Sequence, residues 1–164
     1  MWSKLHMLCA QDKKATAEKI QKFLTQAPQN CLTDRTELGN TALHFAALHR
    51  RKRVALILLE KQANPLAENM KGETPVHWCC QNGTPSIVKV LIRGINDLDD
   101  VLDKGGNTPL HWAAETGNLP VVQLLLNQGA SPIPRNYQWE TPSEHCDDEI
   151  TLQCLADAAA SFTF

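Results

Sequence analysis

The sequence has no long apolar run; the longest, from Val54 to Leu59, is far too short to cross a bilayer. Nor does one charge dominate. Sixteen Lys and Arg stand against 18 Asp and Glu, for a formal net charge of -2 and a pI near 6.3, which excludes a global attraction to phosphate backbones or acidic membranes. The N-terminus, M-W-S-K-L-H-M-L-C-A-Q-D, lacks the apolar stretch and small-residue cleavage pattern of a secretory signal, so a soluble protein inside the cell is expected. No C-x-x-C pair occurs. The cysteines Cys9, Cys31, Cys79, Cys80, Cys146 and Cys154 are scattered through 164 residues, long enough to fold on packing alone, and point to free thiols in a reducing compartment. No low-complexity linker breaks the chain, so a single domain is expected.

What is present is a repeat. G-N-T-A-L-H-F-A-A begins at Gly39, G-E-T-P-V-H-W-C-C at Gly72 and G-N-T-P-L-H-W-A-A at Gly106, with a degenerate W-E-T-P-S-E-H-C from Trp139. The threonines Thr41, Thr74, Thr108 and Thr141 recur at intervals of 33, 34 and 33 residues. Each unit reads as a turn, a Thr N-cap, a first helix with small apolar residues on one face, a tight turn and a more apolar second helix. The second helices carry Val54 to Leu59, Ile87 to Ile92 and Val121 to Leu126. Such a pair cannot cover its apolar side alone, so neighbours must stack and the end units must be capped by polar faces. S-K-L-H-M-L-C-A from Ser3 and A-E-K-I-Q-K-F-L from Ala17 supply one cap; the stretch from Glu140, with acidic residues where inner units carry alanines, supplies the other.

These residues are similar to the ankyrin repeat, whose signature is T-P-L-H-x-A-A at a period of 33. The resemblance covers essentially the whole chain: a capping repeat over 1–35, full repeats over 36–68, 69–102 and 103–135, and a second capping repeat over 136–164. It implies an all-α solenoid of stacked helix-turn-helix units with projecting β-hairpin loops and a concave face of loop tips and first helices. It further implies a monomeric, non-enzymatic module, without cofactor or metal, that binds another protein or peptide as adaptor, inhibitor or targeting subunit in the cytoplasm. Mapped onto this chain, the family's variable positions are Arg35, Glu37, Leu38, Asn40, Leu48 and His49, then Glu68, Met70, Lys71, Glu73, Gln81 and Asn82. They continue through Lys104, Asn107, Glu115 and Thr116 to Arg135, Tyr137, Gln138, Trp139 and Glu140. The sequence departs from the family where Gln62 and Ile95 replace the usual Gly after the second helix, where Arg50 occupies another Gly position, and in a one-residue insertion that affects the Asp97 to Asp103 loop.

His44, His77 and His111 are tempting metal ligands, but equivalent positions in stacked helices lie about 8 to 10 Å apart, whereas ligation needs each nitrogen about 2 Å from one ion. A hydrogen bond tying helix to loop is the expected role. Cys79 and Cys80 beside His77 form the one Cys/His cluster that could serve a nucleophile or metal, yet they occupy the alanine positions of sister repeats, where packing is expected. Phe45, Trp78 and Trp112 share one repeat position and are expected to pack between repeats rather than stack on bases. The run H-R-R-K-R from His49 to Arg53 is the sharpest charge feature. It offers an alternative reading through Arg50 to Arg53, polyanion binding to nucleic acid or phosphoinositide, and a route to nuclear entry, although nucleic acid is not the expected partner. Asp97, Asp99, Asp100 and Asp103 lack the calcium-loop pattern. Met70 and Tyr137 rank ahead of Trp139 as contact residues, because Trp139 has the alternative of packing beneath the terminal cap.

Overall fold

The computed structural model describes residues 3–10, 16–26 and 29–162. The residues inserted between the first two helices, 11–15, lie outside that range. Helices pair along the chain: α1 (Lys4–Ala10) with α2 (Thr16–Gln26), α3 (Ala42–Leu48) with α4 (Lys52–Glu60), α5 (Pro75–Asn82) with α6 (Pro85–Leu91), and α7 (Pro109–Glu115) with α8 (Leu119–Asn127). A 3₁₀ turn, Pro142–His145, and the longer α9 (Glu149–Phe162) close the array. First helices stack in one layer, from α1 through α3, α5 and α7 to the 3₁₀ turn; second helices stack in another, from α2 through α4, α6 and α8 to α9.

The layers meet in one continuous core. First helices contribute small residues, Ala46, Ala47, Cys79, Cys80, Ala113 and Ala114, all fully buried, which lets neighbouring backbones approach closely. Second helices contribute bulk through Val54, Leu58, Ile87, Leu91, Val121 and Leu125. Cys79 and Cys80 are therefore packing residues, and burial pushes the Cys79 thiol up to about 12 and Cys80 well above its ordinary value.

The histidines explain why T-x-x-H recurs. Nδ1 of His44 accepts from the Thr41 amide at 3.0 Å, and its Nε2 donates to the Glu73 carbonyl of the next unit, also at 3.0 Å. His77 repeats this with Thr74 and Asn107, and His111 with Thr108 and Glu140. His6 does the same from the N-terminal unit, accepting from the Ser3 amide and reaching the Asn40 carbonyl. Each ring is neutral, with its proton on Nε2, because a donating amide at Nδ1 and an accepting carbonyl at Nε2 admit no other tautomer. The ladder ties every helix pair to the loop of the unit that follows.

Three details depart from the sequence-level reading. The positive φ after the second helix of the middle repeat belongs to Gly94 (φ 86), not Ile95; it aligns with Gln62 (φ 68) and Gly129 (φ 91). The fifth unit starts with a 3₁₀ turn rather than a helix. Asp148 recaps the chain there by accepting from the Thr151 amide at 2.8 Å, so α9 begins at Glu149. The projecting loops contain no strand among the described residues; single backbone bonds join neighbouring tips, from the Met70 amide to the Leu38 carbonyl, Lys104 to Lys71 and Tyr137 to Gly105. Loops offset by a whole helix layer meet only at their ends, too briefly for a ladder.

Gln62 holds a left-handed backbone that costs a side-chain-bearing residue about 1 to 2 kcal/mol. Part of that is offset by the looser unfolded chain a glycine would give. Gln62→Gly is expected to stabilise by about 0.5 to 1 kcal/mol, read as a rise in urea midpoint. A fall would show that the Gln62 side chain is itself stabilising.

Candidate functional site

The loop tips form a row whose frame is built by side chains five residues ahead of each helix-starting threonine. Asn69 Oδ1 accepts from the amides of Lys71 (2.8 Å) and Glu73 (3.0 Å); Asp103 Oδ1 does so from Gly105 and Asn107, and Asn136 Oδ1 from Gln138 and Glu140. Thr36 serves the first tip through the Asn40 amide. Thr36, Asn69 and Asn136 escape the sequence reading and Asp103 enters it only as part of an acidic loop, although the signal is there: Asn, Asp or Thr recurs five positions before Thr41, Thr74, Thr108 and Thr141. Burial pushes the Asp103 carboxyl up, but the hydrogen bonds from Asn107, Trp112 and Gly105 outweigh it and hold it below its ordinary value.

Several mapped positions help to hold this frame together, Arg35, Thr116 and Arg135 while exposed to solvent and Asn40 while buried. Asn40 is only 5% exposed, and its Oδ1 accepts from Asn69 Nδ2. Glu73, with 13% of its side chain exposed, takes the Asn69 amide and the Trp78 indole N–H at 2.8 Å each. Asn107 links Asp103 to Asn136. Arg35 donates to the carbonyls of Gly39 and Glu68, and Arg135 to that of Trp139. Thr116 hydroxyl donates back to the Gln81 carbonyl of the preceding unit.

The large apolar and aromatic side chains of the tips point outward. Leu38 is 66% exposed, Met70 63%, Tyr137 69% and Trp139 75%. Trp139 thus does not pack beneath the cap. It stands with φ 66 where the three preceding tips have Gly39, Gly72 and Gly106. Those glycines lie against the next tip, whereas no further tip among the described residues stacks on Trp139. Glu37, His49, Lys71, Lys104, Glu115 and Gln138 are exposed around the apolar residues, while Leu48, Gln81 and Asn82 are half-buried at the C-terminal ends of α3 and α5. Four apolar or aromatic side chains therefore project from a hydrogen-bonded frame.

The remaining candidates take structural places. Trp78 packs edge-on to His44 and Phe45, with ring centroids 5.2 and 6.1 Å away. Trp112 lies beside His77 and donates to Asp103 Oδ2 at 3.0 Å, so these aromatics seal the seams between repeats. Asp99 accepts from the Ser131 amide at 2.9 Å and ties its loop to the next unit. The basic run is divided: Arg50 has φ 55 in the turn, Arg51 is half-buried at the start of α4, and Lys52 and Arg53 lie in the first turn of that helix. Among the described residues no cluster of three metal-ligating side chains occurs. No helix among them is long and apolar enough to cross a membrane.

The chain is thus a helical-repeat solenoid with an exposed row of loop tips. The profile of ankyrin repeats in three copies matches residues 63–136, and that of the single ankyrin repeat matches residues 38–70. Together they span more than half of the chain, which belongs to the ankyrin-repeat family. The chain is similar to neurogenic locus notch homolog protein 1 of Xenopus laevis, 36% identical over 91 residues, which are 54% of this chain and 4% of that protein. The human protein of the same name is likewise 36% identical, over 88 residues covering 52% and 3%. NF-kappa-B inhibitor alpha of Sus scrofa is 31% identical over 100 residues, 60% of this chain and 32% of that protein. The similarity thus spans a third or less of these relatives' own lengths. Ankyrin repeats generally serve protein–protein interaction.

Proposed function

We propose that this chain is a non-enzymatic binding module that holds a protein or peptide partner across its loop tips and the adjoining ends of the first helices, as an adaptor, inhibitor or targeting subunit. The observation that carries this reading is the set of exposed apolar tips, Leu38, Met70, Tyr137 and Trp139, on a frame whose polar groups are already satisfied internally. Large apolar side chains fixed in water at such positions gain energy only when another surface covers them. The similarity to a protein named as an inhibitor of NF-kappa-B supports an inhibitory or sequestering role over a purely structural one. Neutral buried thiols and histidines engaged at both ring nitrogens support the non-enzymatic reading. We further propose that the module acts as a monomer inside the cell.

The test compares wild type with Met70→Ala, Lys71→Ala, Tyr137→Ala in an affinity capture from cell lysate followed by titration of the captured partner. All three side chains are exposed, so the thermal melt should not change, while affinity should fall at least tenfold, given about 1 to 2 kcal/mol for each covered anchor. A partner that binds both proteins equally would remove the tip row from the reading.

A further inference from the structure

The face opposite in role to the loop tips, made by the second helices, carries an open groove of about 1080 Å³ between α4 and α6. Its floor is apolar: Leu56, Leu59, Val90 and Ile95 line it, and Leu56 is 38% exposed. Its rim is cationic, with Lys52, Lys89 and Arg93 set against the single carboxylate of Glu60. Among the described residues no ion pair engages any of the three cations. Lys52 comes from the basic run His49 to Arg53, which the tip row leaves unused.

From this geometry we infer a second docking site, for an acidic amphipathic helix of a partner protein that lays its apolar ridge into the α4–α6 groove and sets its carboxylates against Lys52, Lys89 and Arg93. Three physical points select that occupant. The floor runs along α4, nine residues long and so about 13 Å, which accommodates two to three turns of a helix. The apolar residues lie between two helices, a recess that admits a protruding row of side chains at i, i+3, i+4 and i+7. A flat bilayer surface cannot reach a recessed floor, whereas cations on the rim complement acidic residues flanking a ridge. The site is independent of the tip row, and the protein could use both at once.

The probe is a fluorescein-labelled synthetic helix with leucines at i, i+3, i+4 and i+7 flanked by glutamates, alongside the same peptide with lysines for glutamates, titrated by fluorescence polarisation. Wild type is expected to bind the glutamate peptide at least tenfold more tightly than the lysine peptide. The variant Lys52→Glu, Lys89→Glu, Arg93→Glu, altered only at exposed positions, should reverse that order while keeping its thermal melt. Leu56→Glu, also exposed, should weaken both peptides. Met70→Ala with Tyr137→Ala should leave peptide binding unchanged, so failure here is distinguishable from failure of the tip-row reading. Equal affinity for the two peptides, or an order the reversal variant does not change, would overturn the proposal. So would wild-type binding to phosphatidylserine vesicles that the reversal removes while neither peptide binds.

Discussion

Stability should be constant only between about pH 7 and pH 8, because the buried thiols stay protonated while unfolded thiols ionise above that range, and it should fall steeply between about pH 6.5 and pH 4, beginning before the carboxylates are protonated. His44 drives this. Burial pushes its pKa down to about 4, the bond to the Glu73 carbonyl only partly opposing it. The geometry shows why. Nδ1 already accepts from the Thr41 amide, so a second ring proton would face a donor with nowhere to go. The unfolded imidazole takes up its proton near pH 6.5 while the folded one stays neutral, so the native state loses ground as pH falls through that window and the loss levels off near pH 4. For His44 alone the full loss is about 3 kcal/mol. The pKa values of His6, His77 and His111 are lowered too, burial being the largest cause in each, and their losses share the sign. Against a total stability of about 5 to 15 kcal/mol, the His44 loss alone is a large share. Asp103, whose carboxyl is held low, contributes in a separate window, losing stability only below about pH 4. Urea midpoints followed by circular dichroism at pH 7.5, 6.0, 5.0 and 4.5 test this; a midpoint unchanged down to pH 5 would show that the histidines titrate alike in both states.

Gly72→Ala should cost about 2 to 4 kcal/mol. Two terms add. The residue has φ 75, a backbone that disfavours any Cβ. The added carbon would also stand 2.7 Å from the Lys104 amide nitrogen and 3.1 Å from the Asp103 carbonyl carbon, and both are backbone atoms that cannot swing aside. That amide makes the bond to the Lys71 carbonyl that joins the two tips, so the clash opens the seam where partner-facing residues are aligned. Gly94→Ala separates the terms, since Gly94 has φ 86 but nothing within 4 Å of a Cβ; it should cost about 1 kcal/mol. If the two variants unfold at the same urea concentration, the tips have no close packing and the row is looser than described. At Gly106 the obstacle is the exposed Tyr137 ring, which can rotate away, so alanine there should be milder than at Gly72.

The repeat, its period, the helix pairs and the roles of His44, His77 and His111 were legible because each depends on residues within one unit or on the repeat's own spacing. Cys79 and Cys80 could be read as packing residues because sister repeats have alanine there. The candidate site was legible only in outline. Leu38 and Asn40 occupy neighbouring positions on one tip, yet one points into water and the other is sealed by Asn69 from the next unit, a contact 29 residues away. Trp139 ranked behind Met70 and Tyr137 because it could pack beneath the cap, yet it is as exposed as they are, since exposure depends on whether another tip stacks on it. The α4–α6 groove had no sequence signature, because its two walls come from different repeats and its depth depends on how they stack.

The sequence by itself determined that this protein is a stack of capped helix pairs, since the hydrophobic period, Thr–Pro starts and small-residue faces act over a few residues and recur at 33 or 34. Only the tertiary structure decided which side chains are left for a partner. Exposure at a tip or in a groove is settled by the neighbouring repeat, which covers some positions, hydrogen-bonds others and leaves Met70, Tyr137 and Trp139 facing solvent.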